Sequence, residues 1–222
     1  MQRSARIVAA AALLAILGWS SAVALESGGS ETLAAQAANE MLAWRAGGAR
    51  PPEAAWRALR ERLARCATGQ WADPNVHEVT GVLLVLRPEH AEEAVGSLRR
   101  ALALRPGSAY TWSYLAEAQY LRGDSGATLA TALRRAAALG PAEPGVQRIV
   151  VDYGLAVWDE VDPMTHAAID GALAAGLRRD PAEILHVADR RGRLAEACRH
   201  LAAQGIKDAR WTGSCPGGET KP

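Results

Sequence analysis

One run decides how this chain folds: Ala94-Val-Gly-Ser-Leu98-Arg-Arg-Ala101-Leu-Ala-Leu-Arg-Pro106-Gly-Ser-Ala-Tyr-Thr-Trp112-Ser-Tyr-Leu115-Ala116. Ala94, Leu98 and Ala101 stand at offsets 0, 4 and 7, which sets them on one face of a helix, and Pro106 at offset 12, with Gly107 behind it, stops that helix. Trp112, Leu115 and Ala116 then mark a second helix. The order returns at a shift of 35, where Leu133, Ala136 and Pro141 answer Leu98, Ala101 and Pro106, the extra residue fitting the turn from Arg122 to Gly126. A looser echo, Leu173, Gly176 and Pro181, comes 40 residues later, because the stretch from Trp158 to Pro163 lengthens the intervening turn. Self-similarity at such a period is the mark of stacked two-helix units. Ala101, Ala116 and Ala136 let antiparallel helices approach to about 8–10 Å, while Leu98, Trp112, Leu115 and Leu133 fill the grooves beside them. Each hairpin alone leaves an apolar face open, and stacking buries it.

These positions resemble the tetratricopeptide repeat (TPR) pattern. The fold class expected is therefore all-α, a TPR-like solenoid of antiparallel helix hairpins with an N-terminal signal or anchor segment; the competing reading is an ordinary helical bundle whose Ala and Leu fall in this register. Composition agrees with helix: alanine fills 48 positions and leucine 25, and phenylalanine is absent. Domain boundaries follow, with 1–25 a leader, 26–51 a helical extension and linker, 52–204 the repeat domain and 205–222 a tail. Within them, residues from Thr32 to Arg45 read as a helix. Glu53 to Cys66 forms an amphipathic one with Trp56, Leu59, Leu63 and Cys66 on one face, and Asn75 to Leu86 follows with Asp73 as N-cap.

The leader has an export pattern. Arg3 and Arg6 precede an uncharged run from Ile7 to Leu25, and Ala22-Val-Ala24 offers a cleavage site. The same run is long enough to cross a bilayer, so cleavage after Ala24 and retention as an inner-membrane anchor both remain open. In either case the rest of the chain is expected in the periplasm. Of three cysteines, Cys66, Cys198 and Cys215, an oxidising compartment permits one bridge. Cys198 with Cys215 is the candidate pair, the alternative being three unpaired thiols. Lys and Arg number 25 against 24 Asp and Glu, evenly spread, so no nucleic-acid partner is expected. Arginine makes up nearly all the basic residues, in a chain rich in Ala, Gly and Pro, so little is read into any single arginine.

Catalytic signatures are absent from the sequence: no glycine-rich phosphate loop, no Gly-x-Ser-x-Gly elbow and no His-Glu-x-x-His pair. Asp159, Glu160 and Asp162 form a small acidic cluster that reads more simply as a turn and an N-cap. No enzyme activity, cofactor or metal is expected. A binding surface is easier to place. Counting from Trp112 in a TPR hairpin puts Tyr110, Ser113, Glu117 and Tyr120 on the concave face of a first helix, with Arg148 and Asp152 one unit later. Tyrosines offer apolar contact with a hydroxyl handle, and Glu117 and Arg148 can fix register.

Three runs in the C-terminal part, Leu139 to Gln147, Tyr153 to Asp159 and Arg178 to Glu183, together with Gly192-Arg-Leu194, resemble the TPR-like accessory proteins of bacterial exopolysaccharide biosynthesis clusters. That resemblance implies an inner-membrane-associated, periplasm-facing helper in polysaccharide assembly or secretion, and the chain is expected to act there as a non-enzymatic adaptor through protein partners of the assembly machinery. Rival expectations are a TPR subunit for cytochrome maturation or envelope assembly, and a small helical envelope hydrolase.

Overall fold

A computed structural model describes residues 29, 31–44, 51–67, 73–205 and 215. The leader and nearly all of the tail lie outside the described residues. Among the described residues ten helices follow one another: α1 over residues 31–44, α2 Glu53–Cys66, α3 Pro74–Val85, α4 Ala91–Leu104, α5 Ala109–Arg122, α6 Ala127–Leu139, α7 Pro144–Ala156, α8 Pro163–Arg179, α9 Pro181–Arg190 and α10 Leu194–Ala203. Short 3-10 turns at Pro88–His90 and Trp158–Glu160 precede α4 and α8. None of the described helices is long and apolar enough to cross a membrane.

The chain divides into two compact units, Met1–Thr80 and Gly81–Pro222, with the division falling inside α3. In the first, α1 buries Ala34, Ala37 and Met41, and α2 buries Trp56, Leu59 and Leu63, each set at helical spacing. Arg62 links the two, donating to Glu40 at 3.2 Å and to Gln36 at 3.3 Å. Asp73 caps the start of α3 as expected, its Oδ1 accepting from the Asn75 amide at 2.8 Å.

In the second unit each helix packs chiefly against the next one and the one after. Thus α5 meets α4, α6 and α7; α6 meets α7 and α8; α7 meets α8 and α9; and α10 closes on α8 and α9. The local geometry repeats with the sequence. Three helices end on the same backbone bond, Arg105 N–H to Ala101 O at 2.9 Å, Gly140 to Ala136 at 2.9 Å and Asp180 to Gly176 at 2.8 Å, at the shifts of 35 and 40 residues already seen in the sequence. Leu98, Ala101, Leu115, Ala116, Leu133 and Ala136 are all buried. Trp112 bridges the α4–α5 junction, its indole N–H donating to the Pro106 carbonyl at 2.8 Å. One period on, Gln147 makes the same bond with Nε2 to the Pro141 carbonyl at 2.6 Å.

Helix starts are capped by side chains where the sequence supplies them: Ser108 accepts from Thr111 N–H at 3.2 Å, Asp162 from Thr165 at 3.0 Å and Asp180 from Glu183 at 3.1 Å. Gly123, at φ 91°, lets α5 close in a left-handed turn. Two glycines allow close helix contact. A Cβ on Gly154 would stand 2.6 Å from Ile169 Cγ1, and one on Gly176 would stand 2.8 Å from Ile184 Cδ1. The C-terminal core gathers Val150, Leu155, Ile169, Leu173 and Leu177 around these approaches. Each such side chain, fully buried, contributes about 1.5–3 kcal/mol. A disulfide joins Cys198 of α10 to Cys215, which packs with Leu194 against that core. Cys66 is a free thiol.

Candidate functional site

Helices α5, α7 and α9 are alternate helices of the second unit, and α7 contacts both of the others. One polar and aromatic network runs across them. Tyr153 of α7 donates its hydroxyl to Glu117 Oε1 of α5 at 3.0 Å. Its ring packs on Tyr120 with centroids 5.1 Å apart. Arg191, just past α9, lies over both rings, its Cζ 5.2 Å from the Tyr120 centroid and 5.4 Å from that of Tyr153. The same guanidinium donates to Asp152 Oδ1 at 2.7 Å and to the Tyr120 hydroxyl at 3.3 Å, while Arg190 reaches Asp152 Oδ2 at 3.4 Å.

Asp152 is buried, 6 % exposed, and both of its oxygens meet an arginine. Burial raises the Tyr153 phenol well above its ordinary value, and the neighbouring Glu117 carboxylate pushes it the same way, so it stays a hydrogen-bond donor at all ordinary pH. For Arg191 burial disfavours the charge, but the Asp152 carboxylate together with Tyr120 and Tyr153 outweighs it and holds the guanidinium protonated.

At the edges the side chains are more open. Tyr110 donates to Glu143 Oε2 at 3.1 Å and lies 6.3 Å from Tyr114. Its pKa is raised, first by burial and then by Glu143. Arg148 pairs with Glu183 of α9 at 3.5 Å. Half of the Arg190 side chain, 50 %, is exposed.

Glu117, Tyr120 and Asp152 thus fall within one connected group, and Tyr110 and Arg148 lie outside its bonds with partners of their own. Ser113 belongs elsewhere: it is fully buried, and its hydroxyl donates to the Tyr110 carbonyl of its own helix at 2.8 Å. Because α5 is covered by α4, α6 and α7, its accessible strip is narrower than the count from Trp112 suggests. Sequence reasoning missed Tyr153, Arg190 and Arg191. The signal available was separation, since Tyr153 lies 36 residues beyond Glu117 and Arg191 lies 39 beyond Asp152, each one period on.

The acidic cluster has structural duties. Asp159 pairs with Arg193. Asp162 caps α8 and accepts from Arg134 at 2.6 Å, and its bonds from the Thr165 hydroxyl and amide, with Arg134 nearby, hold its carboxyl down at about 2. A carboxyl that acidic is no general acid near neutrality. Among the described residues no group of His, Cys, Asp and Glu is arranged to hold a metal ion. No family model, no curated protein and no solved structure matches this chain.

Proposed function

We propose that this chain is a non-enzymatic, TPR-like adaptor that holds a protein partner on the face formed by α5, α7 and α9. The observation that carries the reading is the network from Glu117 through Tyr153, Tyr120 and Arg191 to Asp152, which draws on all three helices. Residues from successive units meeting on one side, with arginine and tyrosine at the margins, have the composition of an interaction surface. The recurring helix-end bonds and the neighbour-and-next-neighbour packing support an antiparallel hairpin solenoid as the frame. The resemblance of the C-terminal runs supplies the setting: an exported protein facing the periplasm, tied to the inner membrane by its N-terminal segment or released from it, serving exopolysaccharide assembly or secretion.

The test is genetic and biochemical together. In a strain that makes such a polymer, deleting the gene reduces polymer output or chain length. Wild type restores it, whereas Tyr110→Ala combined with Arg148→Glu and Arg190→Glu does not, and the partner no longer co-purifies. Asp159→Asn complements fully, because no carboxylate chemistry is involved. Normal polymer after deletion removes the polysaccharide role, and unchanged co-purification with the triple variant removes the face.

A further inference from the structure

The helices between those of the partner face carry a different chemistry on their outer side. Helices α4, α6 and α8 stand side by side, since one groove runs between α4 and α6 over α5 and another between α6 and α8 over α7. The grooves are built from equivalent residues: Arg99, Trp112 and Leu115 line the first, and Arg134, Gln147 and Val150, each 35 residues on, line the second. Side chains pointing outward from these helices therefore repeat from one to the next.

What repeats is a cation beside a leucine. Arg100 and Leu104, four residues apart and so neighbours on the surface of α4, are answered 35 residues later by Arg135 and Leu139 on α6. On α8, at the shift of 40, Arg178 and Arg179 take the places of Ala138 and Leu139. The exposed arginines of α4, α6 and α8 are Arg99, Arg100, Arg135, Arg178 and Arg179, whereas α5, α7 and α9 expose Arg190 alone. Among the described residues Arg100, Arg135 and Arg178 pair with no acid. The acids exposed on the same helices, Glu92 and Glu93, sit in the first turn of α4 and are engaged by Arg122 and His90. A chain with 25 basic and 24 acidic residues thus gathers unpaired positive charge on one layer by folding, not by composition. The same layer holds the large apolar side chains that the second unit leaves exposed, Leu104 at 51 %, Leu139 at 43 % and Met164 at the start of α8.

That combination selects its occupant. A soluble acidic polymer would satisfy the arginines and leave the leucines in water. An anionic bilayer satisfies both, with phosphates for the guanidiniums and the headgroup–acyl boundary for the leucines. We propose that the outer side of α4, α6 and α8 rests on an anionic phospholipid bilayer, with Arg100, Arg135 and Arg178 on lipid phosphates and Leu104 and Leu139 dipping below them. Each arginine near such a surface strengthens docking about fivefold. The proposed function supplies the setting, an exported chain beside the inner membrane, but the contact itself uses no residue of the α5, α7 and α9 face, and either can fail without the other.

The test is arginine footprinting of the full chain, with a dicarbonyl reagent and mass spectrometry, on vesicles of phosphatidylcholine alone or mixed two to one with phosphatidylglycerol. On the anionic vesicles Arg100, Arg135 and Arg178 are expected to react roughly tenfold more slowly than on the neutral ones, while Arg190 reacts equally on both. The N-terminal segment is the same in every variant, so its own affinity for lipid falls out of this site-by-site comparison. Arg100→Gln with Arg135→Gln removes the protection at Arg178. Leu104→Ser with Leu139→Ser weakens it at all three arginines, each half-exposed leucine being worth about fivefold in docking. These side chains are exposed, so helical circular dichroism stays unchanged in both variants. Equal reaction on the two vesicles overturns the proposal. Equal slowing at Arg190 also overturns it, because the chain is then drawn to lipid without this face turned toward it. Protection undiminished in the leucine variant assigns the arginines to polyanions in general and overturns the bilayer as their partner.

Discussion

Replacing Gly154 by alanine tests whether α7 and α8 press together as closely as hairpin packing requires. The new Cβ would stand 2.6 Å from Cγ1, 2.8 Å from Cδ1 and 3.2 Å from Cγ2 of Ile169. Ile169 is wholly buried, 0 % exposed, and has no room to swing aside. In an open helix the change would stabilise by about 1 kcal/mol. Here overpacking costs about 1–3 kcal/mol, and the net effect is a loss of about 1 kcal/mol. Ile169→Ala removes all three crowding atoms and alone costs about 2–5 kcal/mol. In that background the added methyl enters vacated space, the helix preference reappears, and Gly154→Ala becomes stabilising by about 1 kcal/mol. The cycle therefore yields a coupling of about 2 kcal/mol, with a reversal of sign. Urea unfolding reads it as a difference of about 1 M in midpoint at a slope near 2 kcal/mol/M, and hydrogen exchange at α7 and α8 amides localises it. Equal stabilisation in both backgrounds would falsify the close approach. Asp152 and Tyr153 ride on the same turn of α7, so their placement would fall with it.

Other outcomes follow from the same geometry. Arg191→Ala costs about 3 kcal/mol in chemical denaturation, because buried Asp152 loses its nearer partner; Arg190→Ala, at a half-exposed side chain, costs under about 1 kcal/mol, and equal losses would contradict the assignment. Tyr153 is held protonated in the fold above the ordinary phenol value of 10.0, so its contribution is complete below pH 10 and drains away as the pH climbs, because the unfolded chain loses its proton first. The decline is about 1.4 kcal/mol per pH unit, and Tyr153→Phe flattens it in urea midpoints collected from pH 9 to 11.5, in steps of about half a unit. Reducing the Cys198–Cys215 bond, with its sequence separation of 17, removes about 3 kcal/mol in the chain-entropy model, seen as a lower thermal midpoint in reductant that Cys198→Ser with Cys215→Ser reproduces without it.

How far the fold could be read from sequence depended on how many local signals agreed. The α2 stripe of Trp56, Leu59 and Leu63, bounded by Pro51-Pro52 and ended near Cys66, gave limits that match the observed Glu53–Cys66. The next helix, expected from Asn75 to Leu86, runs one residue earlier at each end, Pro74–Val85, since proline is accommodated in a first turn. What the sequence hid was the equivalence of Trp112 and Gln147. By type the two share nothing, yet each has an N–H donor at similar reach, and each delivers one to the carbonyl of the proline six residues back. A pattern built on side-chain bulk cannot register a position kept for a single donor.

The site was half legible for a related reason. Counting along α5 from Trp112 named Glu117 and Tyr120, which the structure joins to the network, together with Ser113, which it buries, because such a count knows the helix's own period and not how many neighbours cover it. Reading little into single arginines then hid Arg191, although it pairs with Asp152 and lies over the rings of Tyr120 and Tyr153. Glu117 finds Tyr153 after 36 residues and Asp152 finds Arg191 after 39, because α5 packs on α7 and α7 on α9, each pair separated by about one sequence period. Pairing every polar residue of a candidate face with those one period downstream would have recovered both contacts from the sequence, and it would have kept the arginines that find an acid there apart from the many that find none.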